Sequence, residues 1–498
     1  MTTSMAARAL DPDLLARELG NWRTSSRSGP SYQALGDGLR MLIVDGRLPV
    51  GSRLPSERAL ADALRVSRTT VTAAYTDLRD TGYLHARRGA RATVALPHAY
   101  LHARRGARAT VALPHAPVAV PAESAPTVNL AVAALAAPAS AVQEAFHEAT
   151  QQAASYLQQT GHDLRGVLAL RSAIAERYCA RGLPTDPDQI MVTNGAQHAI
   201  ALILTTYAQP GDRVLVEQPT YHGALGAIST AGARPVPVAL SPDGWELDAL
   251  HAAVRQLAPT LAYLVPDNHN PTGLSMPAAD RKRLADIISE TRTRTIIDET
   301  MTDVWLDEPV PAPLAASMRS RTDLVITVGS LSKSFWAGLR IGWIRAEPST
   351  LATIRAIRPS IDLGTSVIEQ LAAAYLLTER AADTLPERRD ILRARRDLLL
   401  RLLDEHLPEW RPLPGGGGMS LWVRLPAPVS SALCASASRL GVELPPGPRF
   451  GVDGTLERFV RIPFTLPEEH LTEAVTLLSR AWRSVTGSAT PDPSAVVV

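Results

Sequence analysis

The sequence of 498 residues is poor in several features, and each shortage excludes a class of protein. Its two cysteines, Cys179 and Cys434, show neither metal-ligand spacing nor close pairing, so we expect no disulfide scaffold and no metal site, and two buried thiols. No apolar run is long enough to span a bilayer, and the first twenty residues lack the pattern of a signal peptide. We therefore expect a cytoplasmic protein.

Lysine is almost absent, since only Lys282 and Lys333 are lysines among 51 basic residues. Arginine replaces lysine wherever a cation suffices, but it cannot form a Schiff base because its guanidinium does not deprotonate in proteins. A retained lysine is therefore a candidate nucleophilic amine. We expect that amine to be Lys333, because Lys282 lies in a charged helical run and is expected at the surface.

Charge is distributed unevenly behind a net value of +2. Residues 21–116 hold fifteen arginines, no lysine and six acidic residues, a net +9 before histidines. Such a block is typical of nucleic-acid binding, although a basic face can also be no more than solvated surface. The composition, with 45% hydrophobic residues, is otherwise that of a globular protein with more than one domain.

The basic block contains a helix-turn-helix pattern. Residues 31–46 repeat apolar positions at helical spacing, and Ser56 is a predicted N-cap of a second helix that ends near Arg65. Ser67 caps a third predicted helix, which Gly82 ends. Residues 83–94 predict two short strands around a basic turn, which is the form of a wing.

An internal repeat follows, because residues 83–99 recur without change at 100–116. Two identical strands compete for one place, and hydrophobic register cannot distinguish them. Since Gly82 precedes only the first copy, we expect that copy to form the wing and the second to be linker; an assembly error in the sequence is the alternative. The predicted organisation is a leader at 1–30, a winged helix at 31–99, a linker at 100–130, a large domain at 131–485 and a disordered tail at 486–498.

From about residue 160, apolar strands alternate with helices, which predicts an α/β fold with a mainly parallel sheet. A long helical stretch at 365–405 then leads to a smaller α+β part. Lys333 directly follows one buried strand and Asp298 ends another, and ligands gather at the carboxyl ends of such strands. There an aspartate can pair with a pyridinium nitrogen.

Three further segments could complete a site. Thr193–Gln197 opens a helix after a strand, and the free N–H groups of a helix start bind anions. Tyr221 could stack on a flat ring, and Asn270 could donate a hydrogen bond to a phenolate. Each segment alone also has a purely structural explanation as a packing glycine, an aromatic contact or a turn.

Together and in this order, these segments resemble the fold type I pyridoxal-phosphate (PLP) proteins over roughly 350 residues. The resemblance implies that Lys333 forms the Schiff base with PLP, that Asp298 pairs with the pyridinium, that Tyr221 stacks and that Asn270 contacts the ring oxygen. Arg461 matches the arginine that binds a substrate or effector carboxylate. The implied phosphate ligands are Gly195, Ala196, Gln197, Ser330, Ser332 and Arg340.

Residues 54–71 resemble the winged helix of the GntR family, and its fusion to an aminotransferase-like domain is the architecture of MocR-type GntR regulators. The resemblance implies double-stranded operator DNA as a partner, and a homodimer. The implied DNA contacts are Arg58, Ser67, Arg68, Thr69, Thr70 and, at the wing tip, Arg88 and Gly89. For Arg58, an ion pair within the domain is the alternative.

Two segments depart from the aminotransferase pattern. Thr300 and Met301 stand where many aminotransferases have a tyrosine, and residues 161–166 lack the usual Tyr-x-Asp-Pro-x-Gly motif. We therefore expect weak or vestigial transaminase activity. The leading hypothesis is a regulator that responds to PLP or to an amino compound; the alternatives are an active aminotransferase with an added DNA-binding domain and a purely structural dimerisation domain.

Overall fold

The fold was analysed in a computed structural model, which describes residues 11–19, 31–44, 48, 54–80, 83–85, 93–94 and 128–487. The chain divides into two compact units, residues 1–120 and 121–498. None of the helices in the described ranges combines the length and the apolar character that crossing a bilayer requires.

The first unit contains four described helices and two short strands, and the helix-turn-helix prediction is confirmed. The side chain of Ser56 accepts a hydrogen bond from Ala59 N–H at 3.2 Å and so caps the start of α3. Arg65, in the left-handed conformation, ends the same helix. Ser67 Oγ accepts from Thr70 N–H at 3.2 Å. The elements are α1 (Pro12–Leu19), α2 (Ser31–Val44), α3 (Glu57–Leu64), α4 (Arg68–Asp80), β1 (Leu84–His85) and β2 (Thr93–Val94).

Helix α1 falls within the segment predicted to be a leader, so that part of the leader belongs to the folded unit. Leu15 and Leu19, four residues apart on one face, are buried in the core formed by α2, α3 and α4. Strands β1 and β2 pair antiparallel, and both come from the first copy of the repeat. The second copy, residues 100–116, lies outside the described residues.

The second unit begins with a large part that contains an eight-stranded sheet. Its helices are α5 (Ala139–Gln152), α6 (Leu168–Ala180), α7 (Ala196–Tyr207), α8 (His222–Thr230), α9 (Leu247–Leu257), α10 (Ala278–Thr291) and α11 (Pro348–Ile357). Its strands are β4 (Ile190–Thr193), β5 (Arg213–Gln218), β6 (Arg234–Ser241), β7 (Gly244–Trp245), β8 (Leu261–Leu264), β9 (Arg294–Asp298), β10 (Val325–Ser330) and β11 (Gly342–Arg345).

The strand order is β4-β11-β10-β9-β8-β5-β6-β7, and the five strands from β10 to β6 are parallel, as expected. Sequence reasoning missed β6, which contains Pro235 and Pro237. Alternate residues of a strand bond to opposite neighbours, so the missing N–H groups of both prolines fall on the same side. Arg234 N–H donates to the carbonyl oxygen of Asp212 at 2.7 Å, toward β5, so the two proline nitrogens face the opposite side, where β7 pairs only with Leu240 and Ser241.

The smaller part follows two consecutive helices, α12 (Val367–Tyr375) and α13 (Ala381–His406), which a π-helical turn at Leu376–Arg380 joins. It contains a three-stranded antiparallel sheet and a two-stranded parallel pair packed against α14 and α15. Its elements are β3 (Val128–Asn129), β12 (Arg411–Pro412), β13 (Ser420–Arg424), α14 (Ser430–Arg439), β14 (Val442–Glu443), β15 (Phe459–Pro463) and α15 (Glu468–Gly487).

The second unit extends beyond both limits of the range predicted for it, 131–485. Val128 and Leu130 are buried, and β3 pairs with β14, so residues 128–130 belong to the second unit and not to the linker. Helix α15 continues to Gly487, two residues into the predicted tail. The expectation of two buried thiols is wrong for Cys179, which lies exposed near the end of α6, where its Sγ accepts from Thr185 N–H at 3.3 Å; Cys434 is buried.

Candidate functional site

Lys333 lies at the carboxyl edge of the large sheet, in the turn that follows β10, and is half-buried. Its Nζ donates a hydrogen bond to the carbonyl oxygen of Ala133 at 2.7 Å. Burial, together with the positive charge of Arg461, lowers the pKa of Lys333 to about 8, although the Asp298 carboxylate acts in the opposite direction. The lowered pKa increases the share of this amine that is neutral, and therefore nucleophilic, near neutral pH.

Asp298 ends β9 and stands opposite Val328 of β10, so it lies at the same edge as Lys333. Its Oδ2 accepts a hydrogen bond from the Tyr263 hydroxyl at 2.6 Å, and its Oδ1 accepts from Thr300 N–H at 2.9 Å. Burial raises the pKa of Asp298 despite these hydrogen bonds. Sequence reasoning missed Tyr263, whose only signal was a tyrosine within the apolar strand β8.

Residues Thr193–Gln197, here called the anion loop, connect β4 to α7. Gly195 has a φ of 83°, in the region that favours glycine, and it precedes the free N–H groups at the start of α7. The Ser330 and Ser332 hydroxyls are 2.8 Å apart. Arg340 donates from Nη2 to the carbonyl oxygen of Asn194 at 3.1 Å, which fixes its guanidinium beside the anion loop.

Strand β11 brings these donors together, because Gly342 pairs with Thr193 on one side and with Ser330 on the other. A Cβ at Gly342 would lie 2.5 Å from the carbonyl carbon of Gly195 and 2.7 Å from the nitrogen of Ala196, so only glycine permits this approach. The result is a cluster of helix N–H groups, hydroxyls and a guanidinium at one edge. Such a donor set suits a phosphate group.

Tyr221 lies beside the anion loop but is held by a different contact. Gln197 donates from Nε2 to the carbonyl oxygen of Gly223 at 2.9 Å, and a Cβ at Gly223 would lie 2.4 Å from Cζ of the Tyr221 ring. The side chain of Gln197 therefore supports the turn under Tyr221, and its backbone N–H is the group left for an anion. Burial and the nearby Asp298 carboxylate raise the pKa of Tyr221.

Arg461, on β15, is 3% exposed and has no acidic partner among the described residues. It donates from Nη2 to the carbonyl oxygen of Ala131 at 2.6 Å and from Nη1 to Asn270 Oδ1 at 3.5 Å, and its guanidinium lies 4.9 Å from the centre of the Phe450 ring. Burial and the neighbouring Arg449 charge lower the pKa of Arg461 to about 10. A buried cation without an acidic partner among the described residues is a candidate binding point for a ligand carboxylate.

One stretch of backbone accepts hydrogen bonds from Lys333, Arg461 and a further arginine, Arg388. In the segment Ala131–Ala136, here called the carbonyl segment, Ala131 accepts from Arg461, Ala133 from Lys333 and Ala136 from Arg388 at 2.9 Å. No sequence pattern signals these contacts, since any residue supplies a carbonyl oxygen. Of Thr300 and Met301, which stand where many aminotransferases have a tyrosine, Met301 is buried in the core of the smaller part.

Five candidate DNA-binding residues lie on α3, on α4 or at the turn between these helices. Ser67 Oγ is 2.7 Å from Thr69 Oγ1 and 2.8 Å from Thr70 Oγ1, so the three hydroxyls form one cluster. Ser67, Arg68 and Thr69 are exposed. Arg58, on α3, is also exposed. Arg88 and Gly89 lie outside the described residues.

Sequence reasoning missed Glu57, which connects the two helices of the motif. Its carboxylate accepts a hydrogen bond from the Thr72 hydroxyl at 2.9 Å and lies 3.9 Å from Arg68 Nε and 3.8 Å from Arg79 Nη2. An acidic residue in the first turn of α3 was the only available signal. Glu57, on α3, therefore lies close to three side chains of α4.

Comparisons with known proteins agree with both halves of this description. Residues 125–478 match the family "Aminotransferase class I and II", and residues 31–94 match "Bacterial regulatory proteins, gntR family". The chain is 30% identical over 348 residues to 2-aminoadipate transaminase of Thermus thermophilus, a match that covers 68% of this chain and 86% of the relative.

A relative with a regulatory name matches over a longer stretch. The chain is 28% identical over 408 residues to the "Probable rhizopine catabolism regulatory protein MocR" of Rhizobium meliloti, which covers 79% of this chain and 82% of that protein. Among solved structures, the α-aminoadipate aminotransferase LysN of Thermus thermophilus, complexed with N-(5'-phosphopyridoxyl)-L-leucine, matches with a TM-score of 0.68 at 28% identity over 73% of this chain and 93% of that chain.

Three findings identify the family. The large unit matches the aminotransferase family over most of its length and resembles a phosphopyridoxyl-bound aminotransferase in structure, and the helix-turn-helix unit has a match of its own. PLP is the cofactor that this family implies. The chain belongs to the class I and II aminotransferase family and carries an N-terminal GntR-family DNA-binding domain, the combination found in MocR-type transcription regulators.

Proposed function

We propose that this regulator binds operator DNA as a homodimer and changes its operator affinity when PLP, or an amino compound that reacts at the PLP site, binds. The observation that carries the proposal is Lys333, one of only two lysines, placed at the sheet edge with its pKa lowered to about 8 by burial and by Arg461. A purely structural domain has no need of such an amine.

The residues present fit PLP. Gly342 leaves room for the anion loop to approach β11, and the donors collected there suit a phosphate. A buried carboxylate, Asp298, and a reactive amine, Lys333, lie at the same sheet edge, which suits a ligand with a ring nitrogen at one end of the ring and an aldehyde at the opposite end. When bound, PLP supplies an aldehyde that condenses with primary amines and a ring that withdraws electrons.

We assign the residues as follows. Lys333 supplies the amine, Asp298 holds a proton on the ring nitrogen, Tyr221 stacks on the ring and Asn270 contacts the ring oxygen. Arg461 binds the carboxylate of an amino-acid ligand, since no described acidic group neutralises it. The phosphate is held by Ser330, Ser332, Arg340 and the backbone of Gly195, Ala196 and Gln197.

On the DNA side, the exposed cluster of Ser67, Thr69 and Thr70 contacts phosphates, and Arg58 and Arg68 contact phosphates or major-groove edges. One winged helix reads one half-site, so a dimer and an operator with two half-sites are expected. Direct repeats are as suitable as a palindrome. A chain that binds chromosomal DNA works in the bacterial cytoplasm.

A second candidate function is an active aminotransferase with an added DNA-binding domain. The buried and unneutralised guanidinium of Arg461 favours it, because an aminotransferase must bind substrate carboxylates. The absence of a tyrosine at Thr300 and Met301 opposes it. The two functions differ in the effect of ligand binding that can be measured. In a regulator the ligand changes operator affinity, and in an aminotransferase keto acids are converted.

The test compares Lys333→Ala with Lys282→Ala, the only other lysine variant that the chain offers. With PLP, the parent protein and Lys282→Ala should show a visible absorbance band that shifts when amines are added, and borohydride should fix the cofactor to Lys333. Lys333→Ala should lose the band and the attachment while it remains folded and dimeric by sedimentation.

Operator affinity is then measured with PLP and with a panel of amino compounds. We expect at least one of these ligands to change the affinity of the parent protein and not that of Lys333→Ala. Keto-acid turnover with unchanged operator affinity would instead establish the second candidate. A visible band that survives in Lys333→Ala would show that the amine assignment is wrong.

A further inference from the structure

Four hydrogen-bonded polar side chains connect the anion loop to the segment that follows α11. They are Asn194, His198, Arg358 and Asp362, here called the brace. Asn194 donates from Nδ2 to Asp362 Oδ2 at 2.8 Å, and its backbone N–H donates to His198 Nδ1 at 3.0 Å. His198 Nε2 lies 3.5 Å from the same Asp362 oxygen. The side chain and the main chain of Asn194 are thus both held.

Arg358 is the buried end of the brace. It has no exposed surface and donates from Nε to Asp362 Oδ1 at 2.6 Å. From Nη1 it donates to the carbonyl oxygen of Val192, in β4, at 2.6 Å and to that of Leu164 at 2.7 Å. Asp362 is therefore fixed to the strand that leads into the anion loop, although 168 residues separate it from Asn194.

The charges within the brace are matched. Burial raises the pKa of Asp362, but the hydrogen bond and charge of Arg358 outweigh it and hold that pKa below its ordinary value. Burial lowers the pKa of His198, which leaves Nδ1 free to accept from Asn194. Arg358 and Asp362 thus form an ion pair, and a neutral imidazole completes the contacts of Asn194.

Asn194 is the point where this support reaches the anion site. Its carbonyl oxygen accepts from Arg340, and the next residue, Gly195, precedes the first N–H groups of α7. A rotation of Asn194 would therefore displace the helix N–H groups and the guanidinium together. Preorganised donors of this kind bind an anion more tightly than donors that must be ordered on binding.

We propose that Asp362 is a positioning residue: acting through Asn194, it sets the affinity of the site for the phosphate group of its ligand. Asp362 touches neither the amine of Lys333 nor the carboxylate of Asp298 within the described contacts. Its removal should therefore affect the phosphate half of the ligand and spare the ring and aldehyde half. The inference rests on the proposed assignment of the anion loop to phosphate.

The test measures the affinity of the full chain for two aldehydes, PLP and pyridoxal, which lacks the phosphate. Asp362→Ala should weaken PLP binding by about tenfold, a loss in keeping with one hydrogen bond between charged and polar groups. Binding of pyridoxal, followed by its absorbance on condensation with Lys333, should change less than twofold. The ratio of the two affinities is a readout that a general loss of stability does not alter.

Two further variants keep the test decisive if Asp362→Ala fails to fold with Arg358 left unpaired. Asp362→Asn keeps an acceptor for Arg358 and should recover part of the PLP affinity. Asn194→Ala leaves the ion pair intact and should lower PLP affinity as Asp362→Ala does, and the two losses should not add in the double variant. Asp390→Ala removes an exposed Asp–Arg pair with Arg393 on α13 and is the matched control.

Equal losses for PLP and pyridoxal, or unchanged PLP affinity in Asp362→Ala, would overturn the inference. Additive losses in the double variant would also overturn it, because they would mean that Asp362 does not act through Asn194. A parent protein that binds pyridoxal as tightly as PLP would instead refute the proposed assignment of the anion loop. The two failures are therefore distinguishable.

Discussion

At the scale of single residues, the placement of a candidate site residue could be predicted where a chemically distinctive side chain ends or directly follows a buried strand. Lys333 and Asp298 met that condition, and the parallel pairing of β9 with β10 places both at one edge. Tyr263 and Asp362 could not be found in this way, because each acts through a partner distant in sequence. The contacts of Ala131 and Ala133 involve only their backbone.

The lowered pKa of Lys333 has a measurable consequence. An amine reacts when neutral, so its reactivity toward an amine-specific reagent should rise as pH increases through about 8. Competitive labelling followed by mass spectrometry measures this in the protein without added cofactor. Lys282, exposed on α10, is the internal standard. The same pH dependence at both lysines would contradict the lowered pKa.

Replacement of Arg461 should separate ligand carboxylate binding from cofactor binding. Arg461→Met removes the charge and retains much of the side-chain volume, so PLP binding should remain and affinity for an amino-acid ligand should fall about 10- to 100-fold. The corresponding amine without a carboxylate is the control ligand, and its affinity should be the same in both proteins. Equal losses for the two ligands would show that Arg461 acts through the fold.

At the scale of elements, the helices and strands that local sequence patterns indicate were predicted well. The caps of α3 and α4 and the alternation of apolar strands with helices indicated the helix-turn-helix and most of the large sheet. Strand β6 was missed because Pro235 and Pro237 are typical of loops, and only the hydrogen bond of Arg234 N–H toward β5 shows that the proline nitrogens face away from that strand. The side of a strand that a proline faces is set by its neighbours, which a single sequence does not reveal.

The contact between β11 and the anion loop gives a prediction at this scale. Gly342→Ala should lower PLP affinity by tenfold or more, since the new Cβ meets backbone atoms of Gly195 and Ala196 that cannot move without shifting the start of α7. Titration with PLP measures the effect. Gly226→Ala, in α8, is the matched control, because open space surrounds that position and alanine favours helix by about 0.5–1 kcal/mol. Unchanged PLP affinity in Gly342→Ala would disprove this role of β11.

At the scale of the whole molecule, the sequence predicted two folded units and a connection between them, and the outer limits of both units were drawn too narrowly. Helix α1 joins the first core through Leu15 and Leu19, and β3 joins the second through Val128. Short elements of this kind have too few residues for periodicity to reveal them, and their burial depends on a partner elsewhere in the chain.

The repeat gives a prediction at the same scale. Deletion of residues 100–116 should leave recognition of a single half-site intact, because β1 and β2 both belong to the first copy. Affinity for the paired operator can change, since a shorter linker alters the reach between half-sites. A salt series on the full chain and the deletion variant measures both effects. Loss of single-site binding, or a salt slope flatter by several units, would mean that the second copy contacts phosphates.

The carbonyl segment has a consequence for how the molecule can be divided. Excision of the aminotransferase-like unit at its first long helix, α5, would remove Ala131–Ala136 with the N-terminal unit. The guanidiniums of Arg461 and Arg388 and the amine of Lys333 would then lose hydrogen-bond acceptors that the chain itself provides. An isolated ligand-binding unit therefore has to retain residues that resemble the end of a linker in sequence, because their carbonyl oxygens are hydrogen-bond acceptors for the site's own cations.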